Sequence, residues 1–273
     1  MAETARVRRT VRLYWILQRA SLRGALHYRM NLLVMVVTGA IYQGSGFAFV
    51  WVVLHRFPSL AGWSFAQVAF LYGLRLLAHA LWLLPFNALL TFDWLVREGE
   101  FDRYLLRPLN PLVQLMTTRT MRMGSAGDLV AGIAIFAVAA RAAGVDWSPL
   151  AIGFCVLAIA GGALIEAAVQ LGLAGLTFRL LDTYNLREAV DDLFSTFGSY
   201  PLKIFGAGTE WLLTFVVPVA FAAYLPASTL LGTGDLRVAP WLGYAGPALG
   251  LGLFVLAYRF WRGQLRYYQS AGH

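Results

Sequence analysis

Arg75 and His79 stand four residues apart in the apolar run FLYGLRLLAHALW, and Glu166 and Gln170 repeat that spacing in GGALIEAAVQLGL. Side chains four apart share one helix face, about one turn from each other. An ionisable group deep in a bilayer costs about 2.5 to 3.5 kcal/mol on insertion scales, so each needs a partner or a water-filled surface. Two uses follow. Arg75 and Glu166 can pair to fix a helix bundle, or Glu166 can face a pathway and select cationic or amphiphilic cargo. Gln43 and Gln67 are further pathway candidates, although amides also cross-link helices.

Bond-making chemistry has no comparable footing, and no catalytic residue is expected. The four histidines (His27, His55, His79, His273) are scattered and form no H-E-x-x-H zinc motif, so no metal site is expected. Ser45 in YQGSGF lacks a G-x-S-x-G elbow, since Gln43 and Phe47 lie two residues before and after it. Gly39, Gly44 and Gly46 suit close helix approach instead. The sole lysine, Lys203, is preceded by SYPL and followed by Ile204, which excludes a phosphate-binding G-x-x-x-x-G-K-[ST] loop. ATP hydrolysis, if the chain depends on it, comes from another polypeptide. Cys155 is the only cysteine, so neither a disulfide nor a cysteine metal site can form within one chain.

The elements that must position these residues follow from composition. Of 273 residues, 59% are hydrophobic and 13% charged, and the mean hydropathy is +0.63, which is more apolar side chain than a soluble core of this length can hide. A spanning helix needs roughly 20 mostly apolar residues. Six windows qualify, approximately 31–54, 65–90, 124–142, 149–176, 203–225 and 241–260. The pattern lacks the ten-residue alternation of a membrane barrel, so the spans are read as helices. The piece YLPASTLLG after the fifth window is too short to cross, and dips in and returns or lies at the interface.

The net charge of +8 is distributed unevenly. Residues 1–30 hold seven arginines, the second loop holds Arg97, Arg103, Arg107, Arg119 and Arg122, the fourth Arg179, Arg187 and Lys203, and the tail Arg259, Arg262 and Arg266. The opposite connections hold only Arg56, Arg141 and Arg237. This bias places both termini in the cytoplasm and makes the basic surplus topological, so nucleic acid is not an expected partner. The first apolar window exceeds a signal-peptide core and no small-x-small cleavage site closes it, so the start is expected to be retained. Within residues 7–29, Val11, Tyr14, Trp15, Gln18, Leu22 and Leu26 recur at helical steps away from Arg8, Arg12, Arg19 and Arg23, the pattern of a helix lying on membrane lipid.

One cytoplasmic segment concentrates charge. In EGEFDRYLLRPLNPLVQ (98–114), Gly99 breaks the preceding helix, Glu100 and Asp102 open a short helical stretch, Arg107 closes it and Pro108 stops it. Phe101, Tyr104 and Leu105 fall on one face, so the element needs a dock, either this chain's own cytoplasmic face or a partner protein. In NLREAVDDLFSTFG (185–198), Leu186, Val190, Leu193 and Phe197 form a stripe that leaves Asp191 and Asp192 off it.

These residues resemble the permease subunits of type-2 ABC exporters, in the branch with a G-x-x-D-x-x-L-x-R-P-x-x-P loop before the third span. Gly99, Asp102, Leu105, Arg107, Pro108 and Pro111 occupy its positions. SYPLKIF (199–205) and LLTFVVPVAFAAYLPASTLLG (212–232), with Pro218 and Pro226, are similar to that branch's fifth span and following bend. The resemblance implies an all-α integral membrane protein. It would have an interfacial helix over residues 1–30, then one six-helix domain over 31–273, with coupling segments at about 91–123 and 177–202 and a re-entrant segment at about 224–240. It further implies a bacterial inner-membrane exporter of two permeases, identical or related, with two cytoplasmic ATPase subunits that carry the ATP and Mg; no cofactor is expected in this chain. Gly99, Glu100, Phe101, Asp102, Arg103, Tyr104, Leu105, Arg107 and Pro108 would form the ATPase-coupling helix. Asp191 and Asp192 would mark a second contact, unless their helix lies on the membrane surface. A stand-alone membrane enzyme lacks a nucleophile or metal constellation. An ion-gradient-driven transporter has only Pro85 and Pro218 as hints of broken helices.

Overall fold

The computed structural model describes residues 12–16, 18–20, 23–24, 26–27, 29–56, 59–118, 124–233 and 238–270. Residues 1–11 of the expected interfacial helix, Arg119, Arg122 and positions 234–237 of the expected re-entrant segment lie outside them. The described residues between 12 and 27 are helical, and Gln18 donates from Nε2 to the Met116 carbonyl at 3.0 Å.

The described chain contains no strand. Its helices are α1 (Arg29–Arg56), α2 (Phe65–Phe86), α3 (Phe92–Arg97), α4 (Asp102–Leu105), α5 (Pro111–Thr118), α6 (Gly124–Ala142), α7 (Pro149–Leu180), α8 (Tyr184–Phe197), α9 (Ala207–Phe215), α10 (Val219–Ala222), α11 (Tyr224–Leu231) and α12 (Gly246–Gln264). Among the described residues, three helices are long and apolar enough to cross a membrane: Arg29–Val52, Phe65–Arg97 and Pro149–Leu180.

Local sequence sets their ends. Ser64 caps α2 by accepting the Gln67 N–H, and the Gln67 side chain returns to the Ser64 N–H at 2.9 Å, a reciprocal box. Pro85 removes one N–H from the helix ladder, and a 3-10 turn over Asn87–Thr91 follows before α3 resumes the same path. Ser148 caps α7, Pro149 occupies its first turn, and Leu181 ends it at φ +62°.

The windows at 124–142 and 241–260 are helical in α6 and α12, each about 28 Å long. The fifth window is corrected: 203–225 is not one helix. Gly206 (φ +83°) and Pro218 divide it into a 3-10 turn over Leu202–Phe205, α9 and α10, because glycine accepts the left-handed backbone there and proline removes a donor. The short α11 follows with Tyr224 to Ser228 buried, and the Tyr224 ring lies 5.8 Å from that of Trp63 in the α1–α2 connection.

Small residues bring the long helices together. The most extensive contact is α7 on α12, where a Cβ on Gly161 would sit 2.7 Å from the Pro247 Cα. A Cβ on Gly127 of α6 would meet the Gly39 backbone of α1, and one on Gly46 would meet the Tyr72 hydroxyl, whereas Gly44 faces open space. The expectation of close approach therefore fails at Gly44. Gly161→Val should lower stability by about 1 to 3 kcal/mol through overpacking, and Gly44→Ala should leave it within about 0.5 kcal/mol, as thermal unfolding in detergent would show.

Candidate functional site

Arg75, His79 and Glu166 converge where α2 packs against α7, and they are buried, Glu166 to 2% exposure. The direct partner of Glu166 is His79, with Nδ1 2.8 Å from Oε2. Arg75 reaches His79 through Nη2 at 3.4 Å, and the Trp82 indole N–H points at the same ring nitrogen at 3.2 Å. The expected Arg75–Glu166 pair is thus a relay in which the histidine stands between the two. Glu166 is enclosed between α2 and α7 in this chain, with His79 as its hydrogen-bonded partner.

Asp191 of α8 completes the group. The side-chain ligand atoms of His79, Glu166 and Asp191 lie within 4.8 Å of one another, and the Arg75 guanidinium already supplies the positive charge beside them. Burial above all lifts the Asp191 carboxyl above its ordinary range, with His79 and Arg75 pulling it down and Glu166 and Asp192 pushing it up. The sequence assigned Asp191 to an ATPase contact, but the fold turns it into the bundle and leaves Asp192 exposed.

The amides bind structure together. Gln43 donates to Asp128 Oδ1 at 2.9 Å while its carbonyl accepts from the Tyr72 hydroxyl at 3.0 Å, tying α1 to α6 and α2. Gln67 is a helix cap, and Gln170 donates to the Arg187 carbonyl at 3.2 Å.

Sequence reasoning missed a second buried set. Asp93 of α3 pairs with Arg187 of α8, both nearly inaccessible, and Asp93 Oδ1 also accepts from the Thr177 hydroxyl at 2.9 Å and the Thr183 hydroxyl at 2.7 Å. Its signal was the one that exposed Glu166: an acid inside an apolar run, here LLTFDWLV. Arg187 was read only as a loop arginine. The pair fixes the rotation of α8, since a buried charge needs its partner. The inward face therefore carries Arg187 and Phe194, while Leu186, expected on the packed stripe, is 47% exposed.

The 98–114 segment begins where Gly99, at φ +67°, turns the chain out of α3. Phe101 is fully buried in an aromatic cage of Phe92, Phe178, Trp261 and Tyr268, with ring centroids 5.2 to 6.4 Å from its own. Tyr104 is buried beside it, and its carbonyl accepts from Gln114 Nε2 at 2.8 Å. Asp102 accepts from the Ser270 hydroxyl at 2.5 Å, and burial together with that carboxylate pushes the Tyr268 hydroxyl up to about 12. Glu100 pairs locally with Arg103 at 2.6 Å. The helical part is only α4, so Arg107 lies beyond it, and Leu105 does not share the face of Phe101 and Tyr104. Arg103, Leu105, Leu106, Arg107 and Pro108 face outward, Leu106 at 84% exposure.

A family model described as ABC-2 family transporter protein matches residues 40–272. The chain belongs to that family. The match spans both buried clusters and the caged segment. An ABC-2 protein of this kind is the membrane component of a transporter and works with ATP-binding subunits. No curated protein and no solved structure matches the chain.

Removing one member of the Asp93–Arg187 pair leaves a buried charge without its counterpart. Asp93→Leu or Arg187→Leu alone should therefore cost about 3 to 5 kcal/mol, and the two combined should recover most of that loss. Unfolding of the single and double variants in detergent checks the coupling, and simple additivity would contradict it.

Proposed function

We propose that this ABC-2 protein is the permease subunit of an ATP-driven exporter, and that its 98–114 segment is the point where a separate ATPase subunit engages it. The observation that carries this reading is the division of that segment into a caged base and an exposed tip. Phe101 and Tyr104 are spent on the chain's own aromatic cluster, while Leu105, Leu106 and Arg107 project outward, Leu106 at 84% exposure. An exposed Leu–Leu–Arg tip suits insertion into a partner's cleft. A base this firmly held would carry the partner's motion into α3 and α7 as a rigid body.

In this reading two permeases, identical or related, form the pathway with two ATPases that bind ATP and Mg, in a bacterial inner membrane with both termini cytoplasmic. The outward face of α1, with Leu33, Val37, Ile41 and Phe49 exposed, meets lipid or the second permease. Gly99 sets the angle of the segment and Asp102 anchors the tail, so both support the contact without being its surface. Asp192, exposed on α8, is the better placed of the two acids for a second contact, since the partly buried Asp191 faces His79 and Glu166.

Affinity purification of the tagged protein from mild detergent tests the reading. Leu106→Asp with Arg107→Ala should reduce the co-purified ATPase at least about tenfold, a loss of 1.4 kcal/mol or more, with thermal stability unchanged. Retention of the ATPase by this variant would refute the assignment of the tip. Phe101→Ala should instead lower stability itself, by about 3 to 5 kcal/mol.

A further inference from the structure

We propose that Arg75, His79, Glu166 and Asp191 form a binding site for one exchangeable proton, and that this proton seats α8 against α2 and α7. The argument starts at a single atom. His79 Nδ1 is approached by Glu166 Oε2 at 2.8 Å, by the Trp82 indole nitrogen at 3.2 Å and by Arg75 Nη2 at 3.4 Å. An indole N–H and a guanidinium only donate, so Nδ1 can receive them only through its lone pair. It can meet Glu166 only if one of the two carries a hydrogen. With the imidazole's own hydrogen on Nε2, a further proton on the 2.8 Å line has a seat at either end, on Nδ1 or on Oε2. The Asp191 carboxylate within 4.8 Å offers a third seat, and the buried Glu166 Oε1 has no hydrogen-bond partner.

Charge decides what the site takes. With a neutral imidazole, one guanidinium and two carboxylates leave a net charge of −1, and one proton brings the group to zero. A divalent metal would leave +1 in a buried place where a guanidinium already lies at the histidine nitrogen. Among the described residues, the groups in this count are Arg75 and His79 from α2, Glu166 from α7 and Asp191 from α8; Asp192 also acts on Asp191 but is exposed on the outer side of α8 and is left out of it. The neighbouring Asp93–Arg187 pair is internally neutral, and the Gln170 amide is used by the Arg187 carbonyl.

The seat follows from the charge. Arg187 holds α8 to Asp93 and, through its carbonyl, to Gln170, while Asp191 brings α8 within 4.8 Å of His79 and Glu166. Losing the proton leaves an uncompensated negative charge under α8 and weakens its approach to α2 and α7 at Asp191. Burial raises the Asp191 carboxyl in the folded protein. Its contribution to stability is therefore fully present below the ordinary carboxylate pKa of about 4 and is lost as the pH rises through the raised folded value.

The experiment is thermal unfolding of the purified full-length protein in detergent from acid to alkaline pH, for the native chain and for Asp191→Asn. The native Tm should fall by about 2 to 4 °C as the pH rises, and Asp191→Asn should abolish that fall and match or exceed the native Tm at alkaline pH. Superimposable pH profiles for the two proteins would overturn the proposal. So would a rise in native Tm on adding Zn²⁺ that Asp191→Asn abolishes, since the site would then take a metal. Should the variant not fold, hydrogen exchange of the native protein decides. The α8 amides, corrected for intrinsic rate, should lose protection with rising pH while those of α12 keep theirs, and uniform protection would overturn the proposal.

Discussion

A guanidinium and a carboxylate with almost no access to water must be paired or cannot be buried, and the Asp93–Arg187 pair imposes this constraint at one end of the bundle. It joins the continuation of α2 to the start of α8, and the hydroxyls of Thr177 and Thr183 bring in the end of α7. Three elements remote in sequence are thereby fixed at one carboxylate. The rotation this gives α8 then directs Asp191, one turn further on, toward His79 and Glu166. Both buried polar sets thus depend on the same helix being held at one angle.

The same end of the bundle holds the aromatic cage. Phe92 belongs to α3, Phe178 to α7 and Trp261 to α12, so the ring of Phe101 touches three of the elements that define the bundle at once. Edge-to-face contacts of this kind add directional preference to the area they bury. The chain beyond Phe101 is short, held at Tyr104 through Gln114 and at Asp102 through the tail, and free only at its tip. Stiffness at the base and exposure at the tip are consequences of one packing arrangement.

Much of this was legible in residue types. The apolar windows near 31–54, 65–90 and 149–176 correspond to α1, α2 and α7, and the i,i+4 spacing of Arg75 and His79 placed both on the face that meets Glu166. Gly99 and the proline that follows Arg107 bracket a short turn-bound helix, as their backbone preferences require. Pairings across long separations were not legible: Asp93 and Arg187 are 94 residues apart, and nothing local marks either as the other's partner. The stripe on α8 misled because hydrophobic periodicity reports packing only when no buried charge competes for the inward face. The capping role of Gln67 was legible as well, since S-x-x-Q before an apolar run signals a capping box. The fifth window failed because an apolar count ignores Gly206 and Pro218, whose backbone demands break the helix.

The central claim is that the 98–114 tip moves with the long helices as one body. The direct measurement is an electron-spin distance between labels at Leu106→Cys and Leu180→Cys, in a Cys155→Ser background, within the assembled transporter with and without bound nucleotide. Both labelled positions are exposed and the native cysteine is buried. The account requires one narrow distance that nucleotide leaves unchanged. A distance that shifts by several ångströms or broadens on nucleotide binding would show the segment flexing at its base, and would contradict it.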